Sequence, residues 1–353
     1  MSGFKGIDNL IRENIRNLKP YSSARDEYKG TGGILLDANE NPIGSTVDGA
    51  YNRYPDPRQR NLKQKFAKLN KVLPANIFIG NGSDEAIDLL FRAFCNPGKD
   101  KAVILPPTYG MYKVSASIND VETIEVQLTA SFQPDVENIL AKANTKTKLL
   151  FLCSPNNPTG NAFAEERMQT LLNNFPGIVV VDEAYIDFSE KPSMLRWLDH
   201  YPNLVVLQTM SKAWGLAGLR LGLAYANASI IEILNKIKPP YNINSITQKL
   251  GLEALGQIDL KKRMVTEILR EKSKLEDQIR QFSFVQKVFP SDTNYLLVKL
   301  DDPLGLYEFL IKENIVVRDR SRVVLCEGCL RFTVGNPDEN EQLITSMNRY
   351  PST

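Results

Sequence analysis

Ile77-Phe78-Ile79-Gly80-Asn81-Gly82-Ser83-Asp84-Glu85 decides the fold class. An uncharged apolar run meets a glycine turn and passes into a helical pattern. Ile87, Leu90, Phe91 and Phe94 then recur at spacings of three and four, which puts them on one buried face. Ser83 or Asp84 suits the N-cap of a helix over 85–94, because a short polar side chain can accept from the first free N–H groups. The same alternation continues outward. Strands are expected at 102–105, 149–153, 178–181 and 204–208, all near-continuous apolar runs of the kind seen in parallel sheets covered on both faces. Helical crossovers such as 164–173 lie between them. The expected architecture is α/β, a mostly parallel central sheet sandwiched by helices, with ligands at the carboxyl ends of the strands.

Beyond this region the pattern changes. A charged helical stretch over 259–282 carries Met264, Ile268, Leu275 and Ile279 on one stripe. Strands at 294–300 and 330–334 and helices at 304–313 and 339–347 follow, which reads as a smaller α+β domain. At the other end, Ile7, Leu10, Ile11 and Ile15 have helical spacing before Pro20. The expected division is an N-terminal arm (1–29) packing on the small domain or a partner subunit, a large domain (30–257) and a small C-terminal domain (258–353).

Composition narrows the function. Among 353 residues, 43 Lys+Arg nearly cancel 41 Asp+Glu, leaving +2. That balance gives no reason to expect nucleic acid or an anionic membrane as partner. The start, Met1-Ser2-Gly3-Phe4-Lys5-Gly6, has no apolar core of a secretory leader, and no apolar run reaches membrane-spanning length. Four scattered cysteines fit a reducing compartment, so a cytoplasmic location is expected. Cys326 and Cys329 have CxxC spacing, but without a second pair a four-cysteine zinc site is excluded. The only histidine, His200, rules out zinc sites built on paired histidines and leaves a serine–histidine triad one candidate base. It sits in a loop-like stretch and is expected to be exposed.

Chemistry-bearing residues gather just after the apolar runs. Lys212 lies in Ser211-Lys212-Ala213-Trp214-Gly215-Leu216-Ala217-Gly218-Leu219-Arg220. At the mouth of a buried sheet its amine would be desolvated and held neutral, the form that attacks a carbonyl. Asp182 ends the run Ile178-Val179-Val180-Val181, with Tyr185 three residues on. Asn157 sits in Ser154-Pro155-Asn156-Asn157-Pro158-Thr159-Gly160, a sharp turn after another strand. Gly82-Ser83-Asp84 opens a helix, whose N–H groups and dipole favour an anion; Ser211 adds a hydroxyl and Arg220 a forked cation. Asp84 has the wrong sign for an anion and would contribute backbone N–H. Tyr109, after the run at 102–105, is placed to stack on a ring, although plain packing explains it equally well. A reactive lysine, a carboxylate for a pyridinium nitrogen and an arginine for a phosphate are together what pyridoxal phosphate requires.

In these motifs the chain resembles the fold type I pyridoxal-phosphate aminotransferases. Within them it is similar to the histidinol-phosphate aminotransferase family. The closer likeness rests on Leu18-Lys19-Pro20-Tyr21-Ser22-Ser23-Ala24-Arg25, Leu36-Asp37-Ala38-Asn39-Glu40-Asn41-Pro42, Asn52-Arg53-Tyr54-Pro55-Asp56, Val317-Arg318-Asp319 and Leu330-Arg331-Phe332-Thr333-Val334-Gly335. The resemblance implies roles. Lys212 would carry the cofactor and move the proton, and Asp182 would pair with the ring nitrogen. Asn157 and Tyr185 would meet the ring hydroxyl, Tyr109 would stack, and Ser83, Asp84, Ser211 and Arg220 would hold the phosphate. Tyr54 would reach the site of a neighbouring subunit in a homodimer, and Tyr21, Asn39, Arg318 and Arg331 would bind substrate. The implied substrates are histidinol phosphate and glutamate or 2-oxoglutarate, in histidine biosynthesis. Aromatic amino-acid transamination and decarboxylation of a phosphorylated amino acid are the alternatives on the same fold.

Overall fold

The structure is a computed structural model that describes residues 4, 6–21 and 33–351. Ser22 to Arg25 of the Pro-Tyr-x-Ser-Ala-Arg motif, and Gly30 to Gly32, lie outside the described residues. Strands β1 (Ile77–Asn81), β2 (Lys101–Ile104), β3 (Glu122–Glu125), β4 (Thr147–Cys153), β5 (Ile178–Asp182), β6 (Leu204–Thr209) and β7 (Leu221–Ala226) form one seven-stranded sheet. Its order is β1-β7-β6-β5-β4-β2-β3. Only β7 runs antiparallel to its neighbours.

Alternation along each strand sorts the core into two layers. Val179, Val181, Val206, Leu150 and Leu152 face one side with Leu62, Phe66, Leu171 and Leu172 of the helices Arg60–Asn70 and Glu165–Asn174. Val180, Val205, Leu207 and Phe151 face the other with Phe91 and Phe94 of the helix Gly82–Phe94 and Ile230 and Leu234 of Ala228–Ile237. Phe91, Phe94 and Phe151 are fully buried. Each stabilises the fold by about 1.5–3 kcal/mol relative to exposure. Because both faces are covered, the central strands β5 and β6 are wholly apolar until their carboxyl ends, where Asp182, Gln208 and Thr209 appear.

A second, all-antiparallel sheet joins β8 (Val285–Val288), β9 (Tyr295–Leu300), β10 (Arg318–Asp319) and β11 (Cys329–Thr333) in the order β10-β11-β9-β8. Leu296, Val298, Leu330 and Phe332 pack there with Leu275 and Ile279 of the helix Ile258–Ile279, Leu306 and Leu310 of Pro303–Lys312, and Leu343 and Met347 of Pro337–Arg349. Asn336 and Glu339 form a reciprocal capping box on the last of these helices.

Four expectations change. The helix after β1 begins at Gly82, not Glu85, and its N-cap is Asn81 rather than Ser83 or Asp84. Gly82 has φ +71°, which turns the chain within one residue, and its N–H donates to the Arg220 carbonyl at 2.6 Å. On the long helix Met264 is exposed, and Val265 takes the buried position. Its first half packs on Tyr185 and Tyr295 and its second half on the small sheet, so the stripe drifts. Strands β3 and β7 were hidden from pattern reading. The first is a charged edge strand, and the second is a short Gly/Ala-rich run. Finally, Ile7 and Leu10 bury against the helical layer of the large sheet, not the small domain. Arg12 anchors them, its N–H donating to Ala93 O at 3.0 Å and its Nη1 to Arg92 O at 2.8 Å.

Candidate active site

The carboxyl ends of the parallel strands open into a cavity of about 740 Å³. Ser83, Asp84, Tyr109, Asn157, Asp182, Tyr185, Ser211, Lys212, Arg220, Arg318 and Arg331 all line it. The large sheet supplies nine of these through the segments after β1, β2, β4, β5 and β6; the small sheet adds the two arginines from the other wall.

Asp182 forms the buried floor. Its Oδ2 accepts from the Tyr112 hydroxyl at 2.7 Å and its Oδ1 from the Ala184 N–H at 3.1 Å. Burial raises its pKa to about 6, against the lowering effect of those two bonds. Tyr112 is itself fully buried and stacked on Phe151 at 4.7 Å between centroids. It escaped sequence reading because a helical tyrosine three residues after Tyr109 looks like core.

Lys212 opens onto the cavity, and its Nζ lies 5.6 Å from the centroid of the Tyr185 ring. Its amine is held below the usual lysine range, first by desolvation and then by the Arg331 and Arg220 charges. That combination favours the neutral nucleophile. Tyr185 meets Tyr295 edge-on at 5.3 Å, and the Tyr295 hydroxyl donates to the Asn156 carbonyl at 2.6 Å. This fixes the loop in which Asn156 is structural, donating to Pro107 O and Thr159 Oγ1, while Asn157 faces the cavity. The Asn157 carboxamide oxygen accepts from Arg331 Nη1.

At the opposite end, close backbone approach builds a cradle. A Cβ on Gly222 of β7 would lie 2.1 Å from the Gly82 carbonyl carbon and the Ser83 nitrogen. Glycine there lets β7 press against the start of the helix, which brings Arg220 beside the free N–H groups of its first turn. Arg220 Nη2 reaches Asp84 Oδ2 at 3.2 Å, and the Tyr109 hydroxyl donates to Asp84 Oδ1 at 3.1 Å. The Asp84 carboxylate is thus drawn onto the arginine. Thr209, another residue the sequence did not point to, bonds Ser211 Oγ at 2.9 Å.

Three expected site residues do not line the cavity in the single chain. Tyr21 borders a separate depression with Pro57, Arg58 and Lys236. Asn39 is exposed in left-handed conformation (φ +54°), and Tyr54 stacks on Tyr241 at 4.4 Å between centroids. The first and last of these side chains are more than half or half exposed.

The donor set suits pyridoxal phosphate. A buried carboxylate matches a pyridinium nitrogen, a lowered amine matches the aldehyde, and a helix start with Ser211 and Arg220 matches the phosphate. Fold and site together therefore define an enzyme of amino-group chemistry that depends on pyridoxal phosphate. The chain belongs to the class I and II aminotransferases: residues 31–347 match that family, described as "Aminotransferase class I and II". It is 54% identical over 344 residues to a histidinol-phosphate aminotransferase of Cytophaga hutchinsonii, covering 98% of this chain and 99% of that one. A Flavobacterium johnsoniae protein of the same name is 52% identical, with 97% of each chain covered. Among solved structures, the histidinol-phosphate aminotransferase of Sinorhizobium meliloti, in complex with pyridoxal 5'-phosphate, superimposes with a TM-score of 0.78 at 24% identity over 89% of each chain. The protein is a pyridoxal-phosphate-dependent aminotransferase.

Proposed function

We propose that this aminotransferase moves an amino group between histidinol phosphate and 2-oxoglutarate, giving imidazole acetol phosphate and glutamate. The observation that carries the reading is the pair of arginines, Arg318 and Arg331, lining the same cavity as Lys212. Their guanidinium forks accept both oxyanions that the two half-reactions present, a phosphate monoester and a carboxylate. Full-length identity above one half to proteins of that name supports the same choice.

Bound there, the cofactor supplies an electron sink for the substrate carbon. The chain does the rest. Asp182 would keep the ring nitrogen protonated, Asn157 and Tyr185 would bond the ring hydroxyl, and Tyr109 would cover the ring. Ser83, Asp84 (through its N–H), Ser211 and Arg220 would hold the phosphate. Lys212 would hold the cofactor, and its amine would carry the proton at the substrate carbon. Tyr21 and Asn39, with the two arginines, complete the substrate pocket.

The chain works as a homodimer with Tyr54 entering the partner's site. Tyr21, Asn39 and Tyr54 miss the cavity of their own chain and sit in or near a stretch that exposes Ile34 (90%), Leu36, Ile43 (92%) and Val47. Such a set of exposed aliphatics marks a surface built to be covered. No helix among the described residues is long and apolar enough to cross a membrane; the enzyme acts in the cytoplasm on small molecules.

The test is a steady-state assay with histidinol phosphate and 2-oxoglutarate, alongside phenylalanine as competing amino donor. Lys212→Ala should lower turnover by at least about 10⁴-fold, as loss of a nucleophile that also moves the proton demands, and should abolish the absorbance of covalently held cofactor. Native-rate turnover by that variant would refute the role given to Lys212. A preference for phenylalanine would refute the substrate.

A further inference from the structure

Arg318 and Arg331 are not the only cations on their wall. In the β10–β11 ladder Arg318 stands directly opposite Arg331, and Arg320 continues the pairing two residues on, its N–H donating to Cys329 O at 3.0 Å. Alternate residues of a strand share a face, so Arg318, Arg320 and Arg331 point together, and all three line the cavity. None of them has a carboxylate within ion-pair distance among the described residues. The Nε atoms of Arg320 and Arg331 are buried without a partner, and Arg320 Nη1 makes only a long bond, 3.4 Å, to the Asp319 carbonyl. Burial, followed by the Arg331 and Arg318 charges, holds the Arg320 guanidinium below its usual range. Two part-buried cations with free donors, crowded by the exposed Arg318, are costly unless an anion of more than one charge joins them.

Arg331 and Arg320 hold different positions on this wall. Arg331 is fixed beside the reacting centre by its bond to Asn157 and its place over the Tyr295 ring at 5.0 Å, and its charge acts directly on Lys212. Arg320 lies two residues along the ladder from the Arg318–Arg331 pair, at the level of Cys329, and its charge acts with that of Arg331 on Tyr185. A carboxylate on the reacting carbon ends at Arg331. A phosphate monoester hangs from that carbon by two further bonds, roughly 2–3 Å more reach at ordinary bond lengths. It also carries close to two charges and three acceptor oxygens.

We infer that Arg320 is a specificity-determining residue that binds the phosphate monoester of the amino substrate and is little used by the carboxylate substrate. This rests on the substrate reading above. It is tested on cofactor-loaded enzyme by following each half-reaction separately through the cofactor's absorbance, with histidinol phosphate, with glutamate and with histidinol lacking the phosphate. Charge-assisted hydrogen bonds of about 1.5–3 kcal/mol correspond to roughly 10- to 150-fold. Arg320→Gln should therefore lower kcat/KM for histidinol phosphate by that factor, mainly through KM, and lower it at least tenfold less for glutamate. Inorganic phosphate should also inhibit the glutamate half-reaction of the variant more weakly than that of the native enzyme. Arg320→Lys, which keeps charge without the fork, should recover part of the loss and serves if the glutamine variant does not fold. Equal losses with both substrates, or no loss with either, would overturn the inference. A native enzyme inert toward histidinol phosphate would instead overturn the substrate reading.

Discussion

At the residue scale the site turns on one carboxylate kept out of water. Asp182 titrates near 6 because burial outweighs its two hydrogen bonds. Its folded pKa lies above that of an exposed aspartate, about 3.9, so the empty folded chain keeps a proton that the unfolded chain releases. The stability this contributes is present below about pH 4 and is lost as the pH rises through 6. A cationic ring nitrogen reverses the sign by favouring the carboxylate. Tyr112 stabilises the same ionised form through its 2.7 Å bond. In Tyr112→Phe, loss of a hydrogen bond to a charged group should move the acid limb of cofactor affinity upward by roughly one to two pH units. Cofactor titrations from pH 5 to 8 would measure this; an unmoved limb would show that Tyr112 is only packing. Much of this scale was readable in the chain itself. Lys212, Asp182, Asn157 and Arg220 each follow an apolar run, and strand ends are where such residues converge. Tyr112 and Thr209 were not readable, because each acts through a neighbour and neither breaks the local pattern.

At the element scale the cradle depends on how close β7 comes to the start of the helix Gly82–Phe94. Gly222 has no room for a Cβ, since both nearest atoms belong to backbone at 2.1 Å. Gly222→Ala should push the two elements apart, cost about 1–3 kcal/mol of stability as overpacking does, and weaken cofactor binding by displacing Arg220. Urea unfolding and a cofactor titration on the same variant check both halves. A variant with weakened stability but native affinity would mean that the cradle tolerates the shift. β7 was the strand least visible beforehand. Its antiparallel direction and small residues carry no periodic signal, although its side chains are buried throughout. The helix start shifted for the related reason that a glycine of positive φ and a backbone bond, not a side-chain cap, begin it.

At the scale of the whole molecule, the proposed site draws on two chains, one holding most of it and the partner the remainder. The proposal puts Tyr54 in that remainder, and the exposed aliphatics from Ile34 to Val47 lie on the same stretch. Burying such side chains stabilises an interface by about 1.5–3 kcal/mol each. Sedimentation should show a dimer. Co-expressing Lys212→Ala with Tyr54→Phe chains should restore activity, because the mixed dimer then contains one site with both native residues. If Tyr54 served its own chain, mixing would restore nothing. A sequence shows that Tyr54 is part of a motif, but the distance that separates it from its own cavity exists only in three dimensions.

The Asp84 carboxylate, held between Arg220 and Tyr109, has a consequence for how the enzyme is loaded. An arginine waiting at a helix start would otherwise recruit whatever oxyanion the medium offers, sulfate or free phosphate included. With a built-in counter-ion on Arg220, stray anions gain little by docking there. A ligand that engages the floor and the lysine at the same moment should displace it more readily than a free anion does. Loading should then proceed at ionic strengths that would strip a bare guanidinium of its selectivity.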